Sequence, residues 1–230
     1  MFRFKEFSVV QSRSAMKVGT DGVLLGAWVD IDPRTERILD IGTGTGVIAL
    51  MVAQRASWAH VTALDIDSES LKDARENVMQ SPWSDRVDVV ESDIAAYSSD
   101  AKFDLIVSNP PYFVESLQCP DPSRTVARHT ESLPFATLIE SVERLLSPFG
   151  RFAVVLPADE GRRFRMMACQ RFSLRRITEV WTTPKSGVKR LLMEFSRQTD
   201  RESISDRLII SNGDFTAEYR ALTKDFYLKF

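Results

Sequence analysis

Cysteine and histidine are scarce in this sequence, and long apolar runs are missing from it. The two cysteines, Cys119 and Cys169, form no Cys-x-x-Cys pair, so we expect two free thiols and a reducing compartment. With only His60 and His129 besides, no set of zinc ligands can be assembled, and we expect no metal. No apolar run approaches the ~20 residues of a membrane-spanning helix, and the N-terminus lacks the apolar region of a signal peptide. We therefore expect a cytoplasmic protein without a membrane partner.

Internal repeats, low-complexity tracts and linkers are lacking as well. The 230 residues, of which 43% are apolar and 27% charged, have an ordinary globular composition and suffice for a full core. We predict one domain over residues 1–230, with an N-terminal extension at 1–36 and the core at 37–230.

From residue 37 onward, short apolar runs alternate with helical patterns. Strands are predicted at 37–41, 61–65, 87–91, 103–108, 151–156, 174–181 and 190–195. Helices are predicted at 47–55, 135–146 and 159–170, and a further helix is predicted to begin at a cap at Ser68. The segment 147–150 is predicted to close the helix at 135–146. The alternation predicts an α/β fold: a doubly wound, mostly parallel, seven-stranded Rossmann-like sheet with an antiparallel hairpin at its edge.

A glycine-rich loop, Gly42-Thr43-Gly44-Thr45-Gly46, follows the first of these strands. Glycines let the backbone turn sharply and approach a ligand closely, and open α/β sheets bind ligands at the carboxyl ends of their strands. The dinucleotide pattern G-x-G-x-x-G is not matched, because the third glycine comes one residue early. Asp40, just before the loop, would repel a pyrophosphate but can hold the ammonium of a methionyl group. The loop therefore favours S-adenosyl-L-methionine as the cofactor.

Two further acids follow the next two strands. Asp65 ends a strand roughly 20 residues beyond the glycine turn, where a carboxylate accepts hydrogen bonds from ribose hydroxyls. Asp93 can accept from the adenine amine, with Ile94 covering the ring. Each acid has an alternative role, which is to cap a neighbouring helix. Asp67 is less suited to the ribose, since it lies past the strand end at the start of a helix.

The segment Asn109-Pro110-Pro111-Tyr112 follows the fourth strand, and we predict that it is catalytic. The two prolines stiffen the turn and hold Asn109 extended. The Asn109 side chain and the Pro110 carbonyl then form a rigid pair of acceptors for the two hydrogens of a planar amine, whose lone pair they aim at a methyl donor. Tyr112 offers a face on which a base can stack. The alternative is a Pro-Pro turn that only ends the strand.

Positive charge is concentrated in one part of the chain. Between Gly161 and Arg190, nine basic residues accompany one acid, Glu179, which gives a local charge of +8 (9 minus 1) in a chain of net charge −2. A basic face suits phosphate binding. The alternative is a solvated surface whose charge is balanced by acids elsewhere in the fold.

These elements together resemble the class I amino-methyltransferases, and two terminal motifs narrow the match. The segments 4–9 with 15–28, and 222–230, resemble the bacterial tRNA1(Val) (adenine(37)-N6)-methyltransferase family. The resemblance covers essentially the whole chain, and the terminal motifs are more specific than the shared catalytic core. It implies methylation, at N6, of the adenine next to the anticodon of a valine tRNA.

The resemblance also implies that the extension 1–36 packs on the cofactor side, with Lys17 and the segment Gly19-Thr20-Asp21 lining the pocket. The alternative for that segment is a helix cap, with Thr20 or Asp21 before Val23. The residues predicted to bind the cofactor are Lys17, Gly19, Thr20, Asp21, Asp40, Gly42, Thr43, Gly44, Gly46, Asp65, Ile66, Asp93, Ile94 and Asn109.

The basic stretch then has a use in holding the phosphates of a tRNA anticodon arm. In the loop after the catalytic turn, Arg124, Arg128 and His129 are placed to touch the target nucleotide, or they belong to a polar loop without such a role. We expect a monomer. The residues predicted to contact RNA are Tyr112, Arg124, Arg128, His129, Arg162, Arg163, Arg165, Lys185, Lys189 and Arg190.

Two alternative functions remain open. A protein glutamine N5-methyltransferase uses the same grip on a planar NH2 group, although those enzymes carry a sizeable helical N-terminal domain and only 36 residues precede the first core strand here. An N6-adenine methyltransferase of ribosomal RNA is also possible. A nicotinamide-dependent dehydrogenase would need the third glycine of the G-x-G-x-x-G pattern and a proton donor, and we find neither. A non-catalytic RNA-binding module would leave the Asn-Pro-Pro-Tyr segment unexplained.

Overall fold

The computed structural model describes residues 1–111, 133–199 and 203–229. Five residues discussed above lie outside these ranges, namely Tyr112, Cys119, Arg124, Arg128 and His129. Within the described ranges, no helix is long and apolar enough to cross a membrane. The remaining cysteine, Cys169, is a free, exposed thiol.

The elements run in the following order. The strands are β1 (Phe2–Arg3), β2 (Ser8–Val9), β3 (Arg37–Ile41), β4 (His60–Asp65), β5 (Val87–Glu91), β6 (Phe103–Ser108), β7 (Leu146–Pro157), β8 (Ser173–Trp181), β9 (Val188–Ser196), β10 (Ile204–Ile209), β11 (Ser211–Asn212) and β12 (Asp214–Phe215). The helices are α1 (Thr20–Trp28), α2 (Val47–Arg55), α3 (Ser68–Met79), α4 (Phe135–Leu145), α5 (Ala158–Ala168) and α6 (Ala217–Thr223).

The main sheet, as far as the chain is described, has eight strands in the order β10-β8-β9-β7-β6-β3-β4-β5. Strands β3 to β7 pair in parallel, and β9 is antiparallel to both β7 and β8. The predicted fold class and the β8–β9 hairpin are thus confirmed. The predicted strand number, seven, was one too low, and the hairpin is not the edge, because β10 pairs in parallel with β8.

Helices cover both faces of this sheet, as a doubly wound fold requires. Successive strand residues alternate between the two cores, so that Ile38 and Leu105 pack with α1 and α2 while Leu39 and Ile106 pack with α4 and α5. All four side chains are fully buried. The glycine loop between β3 and α2 therefore projects from the middle of a rigid sheet.

Several element ends differ from the prediction, most of them by one or two residues, and two of the differences affect local structure. Asp67, rather than Ser68, caps α3, since its carboxylate accepts hydrogen bonds from the backbone N–H groups of Glu69 and Ser70 at 3.1 and 3.3 Å. The segment 147–150, predicted to close a helix, belongs to β7, whose pairing with β6 shifts register there. That shift lets the chain pass from helix α4 into the strand without a separate loop.

The two terminal motifs pack against each other. The Lys5 N–H donates to the Phe226 carbonyl at 2.9 Å. The ring of Phe4 stacks on Phe7 and Tyr227, with centroid distances of 4.6 and 6.1 Å. Phe4 and Phe7 are buried in the core on the α1–α2 side of the sheet. These motifs therefore join the chain ends and support the helix layer beneath the glycine loop.

Candidate active site

The carboxyl ends of β3, β4 and β6 meet at one edge of the sheet. Ile41 lies opposite both Leu64 and Ser108. The Ser108 hydroxyl donates to the Ile41 carbonyl at 2.9 Å, which ties the last residues of β3 and β6 together. Gly42 is the residue that follows β3, and Asn109 is the residue that follows β6. Since neighbouring strands lie about 4.8 Å apart, the predicted catalytic turn begins beside the glycine loop.

The three glycines of the loop have different surroundings. Their φ angles are positive, at +71° for Gly42, +55° for Gly44 and +80° for Gly46, a region that residues with a side chain rarely adopt. A Cβ added at Gly42 or Gly44 would meet no atom within 4 Å, whereas one at Gly46 would lie 3.6 Å from Ala74 of α3. At Gly46 that distance is an ordinary van der Waals contact, so glycine is favoured there by the positive φ. The first two glycines leave an open cradle of the kind that a bound ligand fills.

Asp40 lies fully buried beneath this loop. Its Oδ2 accepts hydrogen bonds from the Thr43 hydroxyl at 2.6 Å and from the Ala49 N–H at 3.1 Å. Its Oδ1 is buried and has no hydrogen-bond partner among the described residues. Burial raises the pKa of Asp40 to about 7, against the hydrogen bonds from Thr43 and Ala49, and the charge of Asp65 adds to the rise. A cationic ligand group would satisfy the unpaired oxygen and favour its charged form.

Asp65 and Asp93 each hold local backbone. Asp65 accepts hydrogen bonds from the N–H groups of Gly44 at 2.7 Å and Asp67 at 3.0 Å, so it links the glycine loop to the start of α3. Asp93 accepts from the Ala95 N–H at 2.9 Å, in a tight turn. Neither carboxylate caps a helix, because Asp67 caps α3 and Asp93 lies at a turn over residues 94–96. The helix-capping alternative is therefore wrong for both acids. Each oxygen that accepts one hydrogen bond has a further lone pair for a ligand.

The two isoleucines next to these acids differ in exposure. Ile66 is 68% exposed, whereas Ile94 is 4% exposed and packs in the core on the α4–α5 side. Ile66 is therefore the side chain open to a ligand lying along this edge.

The Gly19-Thr20-Asp21 segment begins α1. Gly19 is the N-cap residue and no side chain caps the helix, so the alternative in which Thr20 or Asp21 caps α1 is wrong. Asp21 instead pairs with Arg190 of β9, with Nε 2.7 Å from Oδ2. The Lys17 ammonium donates to the carbonyls of Gln11 at 2.6 Å and Ser14 at 2.9 Å.

The catalytic turn itself is described as far as Pro111. Asn109 is half-buried, Pro110 is buried and Pro111 is exposed. The Asn109 Oδ1 atom is inaccessible to solvent and has no hydrogen-bond partner in the described part of the chain. A buried carbonyl oxygen without a donor is costly, so this atom is a candidate acceptor for an N–H group of a ligand.

Part of the basic stretch is neutralised within the fold. Arg171 forms ion pairs with Glu140 and Glu143. Likewise, Arg175 lies 3.7 Å from Glu194, and Arg176 lies 3.5 Å from Asp206. For these three arginines the alternative, a charge balanced by acids elsewhere, is the better description.

The rest of the basic residues lie near the active edge. Helix α5 begins where β7 ends, and the turn between β8 and β9 lies at the same edge, because Arg190 pairs with Pro157. Arg162, Arg163, Arg165, Lys185 and Lys189 are exposed. Arg162 pairs with Asp159 at 2.5 Å, whereas no ion pair joins Arg165, Lys185 or Lys189 to another described residue.

Comparison with known proteins gives the family. The model of the methyltransferase small domain family matches residues 2–169. A relative from Phocaeicola vulgatus, named tRNA1(Val) (adenine(37)-N6)-methyltransferase, is 50% identical over 99% of this chain and 97% of its own length. A protein of the same name from Flavobacterium johnsoniae is 44% identical over the full length of both chains. The chain belongs to the tRNA1(Val) (adenine(37)-N6)-methyltransferase family. The family predicted from the sequence motifs is thus confirmed.

Solved structures of lower sequence identity share the fold of this chain. A predicted O-methyltransferase, Atu636 from Agrobacterium tumefaciens, superposes with a TM-score of 0.72 at 22% identity, covering 90% of this chain and 96% of its own. The glycopeptide N-methyltransferase MtfA, in complex with S-adenosyl-L-methionine, gives a TM-score of 0.54 at 18% identity, covering 81% and 91%. These two likenesses establish the Rossmann-like architecture.

A structural role for two residues of helix α3 was not predicted from the sequence. Asp73 and Asn77 of α3 are buried, and both hydrogen-bond to the segment before α1. Their signal in the sequence is a pair of polar residues, four apart, on a helix whose neighbouring positions Leu71, Ala74 and Val78 are apolar.

Proposed function

We propose that this chain transfers a methyl group from S-adenosyl-L-methionine to the N6 amine of adenine 37 in tRNA1(Val). The names of its near-full-length relatives support the reaction and the substrate. The geometry that supports it best is the Asn109 Oδ1 atom at the strand end next to Gly42, which is buried and has no hydrogen-bond partner among the described residues. Asn109, which carries this acceptor for an amine N–H, thus follows its strand next to the open cradle.

The residues of the cradle fit this cofactor. S-adenosyl-L-methionine, when bound, supplies an electrophilic methyl group together with an ammonium and a ribose. Asp40 Oδ1 is the oxygen to receive the ammonium, directly or through water, and the remaining lone pairs of Asp65 suit the ribose hydroxyls. Asp93 and Ile66 lie farther along the same edge, where the adenine ring would extend.

Asn109 and Pro110 then act on the target amine. Their two carbonyl oxygens accept its two hydrogens, which draws the nitrogen toward tetrahedral geometry and aims its lone pair at the cradle. Positioning and oriented dipoles supply most of the acceleration in such a site. No strong base is needed, because the amine loses its proton only after it has reacted, when the nitrogen is acidic.

The exposed basic residues supply a docking surface for the anticodon arm. Arg162 and Arg165 of α5, Lys185 of the β8–β9 turn and Lys189 of β9 lie towards the carboxyl end of β7, the strand next to the one that ends before Asn109. Lysine and arginine contacts to phosphates bring RNA to a site in a salt-dependent way. Every residue in the proposal belongs to one chain, so the proposed active unit is a monomer, and it acts in the cytoplasm with tRNA.

A methylation assay tests the function. The protein is incubated with labelled S-adenosyl-L-methionine and, separately, tRNA1(Val), the same tRNA with adenine 37 replaced by guanine, ribosomal RNA, and a protein extract. We expect label only in the unaltered tRNA, recovered as N6-methyladenosine at position 37. Label in the guanine-37 tRNA would contradict the proposed position. Label mainly in ribosomal RNA, or in a glutamine side chain, would establish one of the two alternative functions instead.

A further inference from the structure

The segment between β2 and α1, residues 10–18, lies against helix α3, and we call it the strap. Val10 pairs with the side chain of Asn77 as it would with a neighbouring strand. Its N–H donates to Asn77 Oδ1 at 2.6 Å, and its carbonyl accepts from Asn77 Nδ2 at 2.8 Å. Asn77 is 1% exposed, so these bonds are shielded from water.

Asp73, one helical turn earlier, holds the middle of the strap. Its Oδ2 accepts from the consecutive N–H groups of Arg13 and Ser14, both at 2.8 Å, and from the Ser14 hydroxyl at 3.1 Å. Its Oδ1 accepts from the Arg13 guanidinium at 3.0 Å and the Ser12 hydroxyl at 3.3 Å. Burial opposes ionisation, but the hydrogen bonds prevail and hold the pKa of Asp73 below its ordinary value.

The strap is also closed on itself. Besides the two bonds from Lys17 to the Gln11 and Ser14 carbonyls, the Val18 N–H donates to Gln11 Oε1 at 2.7 Å. The strap is therefore a compact unit that connects its contacts on α3 to Gly19. It holds Gly19, the first residue of the predicted Gly19-Thr20-Asp21 segment, in a defined position.

The same face of α3 contacts the glycine loop. The second hydrogen of Asn77 Nδ2 is donated to the Thr45 carbonyl at 2.9 Å. Three residues earlier on the same helix, Ala74 packs against Gly46, and a Cβ added to the glycine would lie 3.6 Å from it. One amide group thus bonds at once to the strap and to the loop that forms the cradle, and its donors and its acceptor oxygen are all used.

We propose that Asp73 and Asn77 are positioning residues for the methyl-donor site, because they join the strap and the glycine loop in one arrangement on α3. The identity of the ligand rests on the proposed function. Asp73 bonds to the strap, and Asn77 bonds to the strap and to the Thr45 carbonyl of the glycine loop, so both act through the backbone they hold. Donor affinity should therefore depend on them, although the chemistry at Asn109 should not.

The test compares Asp73→Asn and Asn77→Asp with Asp104→Asn in the full-length protein. Asp104 is a matched control, since its carboxylate also accepts from two consecutive N–H groups, those of Glu36 and Arg37, but at the opposite edge of the sheet. Binding of S-adenosylhomocysteine is measured by calorimetry, and hydrogen exchange is followed in peptides covering the strap and the glycine loop. Steady-state methylation gives KM for the donor and kcat.

We expect each α3 variant to bind S-adenosylhomocysteine about 10-fold more weakly, a typical size for coupling between sites. Exchange in the strap should accelerate and KM should rise, with kcat changed less than about 3-fold, because the interactions made at Asn109 persist. The Asp104→Asn protein should keep wild-type affinity. Unchanged affinity in the α3 variants despite faster strap exchange would overturn the proposal, as would an equal loss in Asp104→Asn.

Wild-type protein provides a measurement that needs no variant to fold. Bound S-adenosylhomocysteine should slow exchange at the strap amides of Val10, Arg13, Ser14 and Val18. Binding without any such slowing would overturn the proposal. Failure of the wild type to bind S-adenosylhomocysteine at all would count against the proposed function instead.

Discussion

The Asp21 carboxylate accepts a hydrogen bond of 2.7 Å from Nε of Arg190, although 169 positions separate the two residues in the chain. Asp21, in the first turn of α1, belongs to the segment predicted to bind the cofactor, whereas Arg190, the third residue of β9, belongs to the stretch predicted to bind RNA. Their side chains are 20% and 30% exposed. This pair joins the segment predicted to bind the cofactor to the stretch predicted to bind RNA.

Replacing Arg190 should therefore affect both ligands. A partly exposed ion pair is worth up to about 1 kcal/mol, so Arg190→Gln should weaken S-adenosylhomocysteine binding about 3-fold as well as tRNA binding. Lys189→Gln, at the exposed neighbouring position, should weaken tRNA binding alone, and more so at low salt. Calorimetry and tRNA titrations check this. Equal effects of the two variants on S-adenosylhomocysteine would refute the link.

Donor affinity should rise with pH through about 7. The pKa of Asp40 is raised to about 7 in the ligand-free protein, so much of this carboxyl is protonated at pH 6. A ligand ammonium favours the charged form, and binding below pH 7 should release a proton. Calorimetry in two buffers of different ionisation enthalpy measures that release. Affinity that stays flat from pH 6 to 8, as we expect for Asp40→Asn, would be evidence against contact with the ammonium.

The same carboxyl should make ligand-free stability depend on pH. Because its folded pKa lies above its ordinary value, the stability it contributes is fully present below about pH 4 and is lost as the pH rises through about 7. The difference in unfolding free energy between Asp40→Asn and wild type should therefore shift in favour of the variant, by a few kcal/mol, between pH 4 and 8. Denaturation curves across that range check it. A constant difference would show that Asp40 has an ordinary pKa.

Gly44→Ala should lose donor binding out of proportion to its loss of stability. Gly44 has φ +55° and Gly213, in the distant β11–β12 turn, has φ +85°, and a Cβ at either position meets nothing within 4 Å. Both alanine variants should lose roughly 1–2 kcal/mol of stability through backbone strain. Only the Gly44 variant should bind S-adenosylhomocysteine at least ~10-fold more weakly, since its Cβ enters the cradle and shifts the backbone there. A similar affinity in both variants would mean that the ligand lies elsewhere.

Much of the fold was predictable because buried parallel strands form continuous apolar runs. The predictions for 37–41 and 103–108 match β3 and β6 residue for residue. Strand β10 was missed because its first four residues are exposed and three of them are polar, which leaves only Ile204, Leu208 and Ile209 as apolar residues of the strand. The cap of α3 was misplaced by one because Asp67 and Ser68 are both good capping residues, and only the folded backbone decides between them.

The candidate site was predictable in its local motifs but not in its long-range contacts. Gly42 and Asn109 could be placed at neighbouring strand ends from the order of elements alone. The neutralisation of Arg171, Arg175 and Arg176 could not, because it depends on acids from α4, β9 and β10. Nor could the bonds from α3 to the strap, since an aspartate or asparagine on a helix is usually solvated.

The role of Asn109 can be measured directly in single-turnover methylation of tRNA1(Val) by Asn109→Ala, with S-adenosylhomocysteine affinity determined on the same preparation. We expect methyl transfer to slow by at least ~100-fold, as when an oriented catalytic dipole is removed, while S-adenosylhomocysteine affinity stays within about 3-fold, because Asp40, Asp65 and the glycine loop are unchanged. Transfer within about 10-fold of the wild-type rate would contradict the proposal that Asn109 grips the adenine amine.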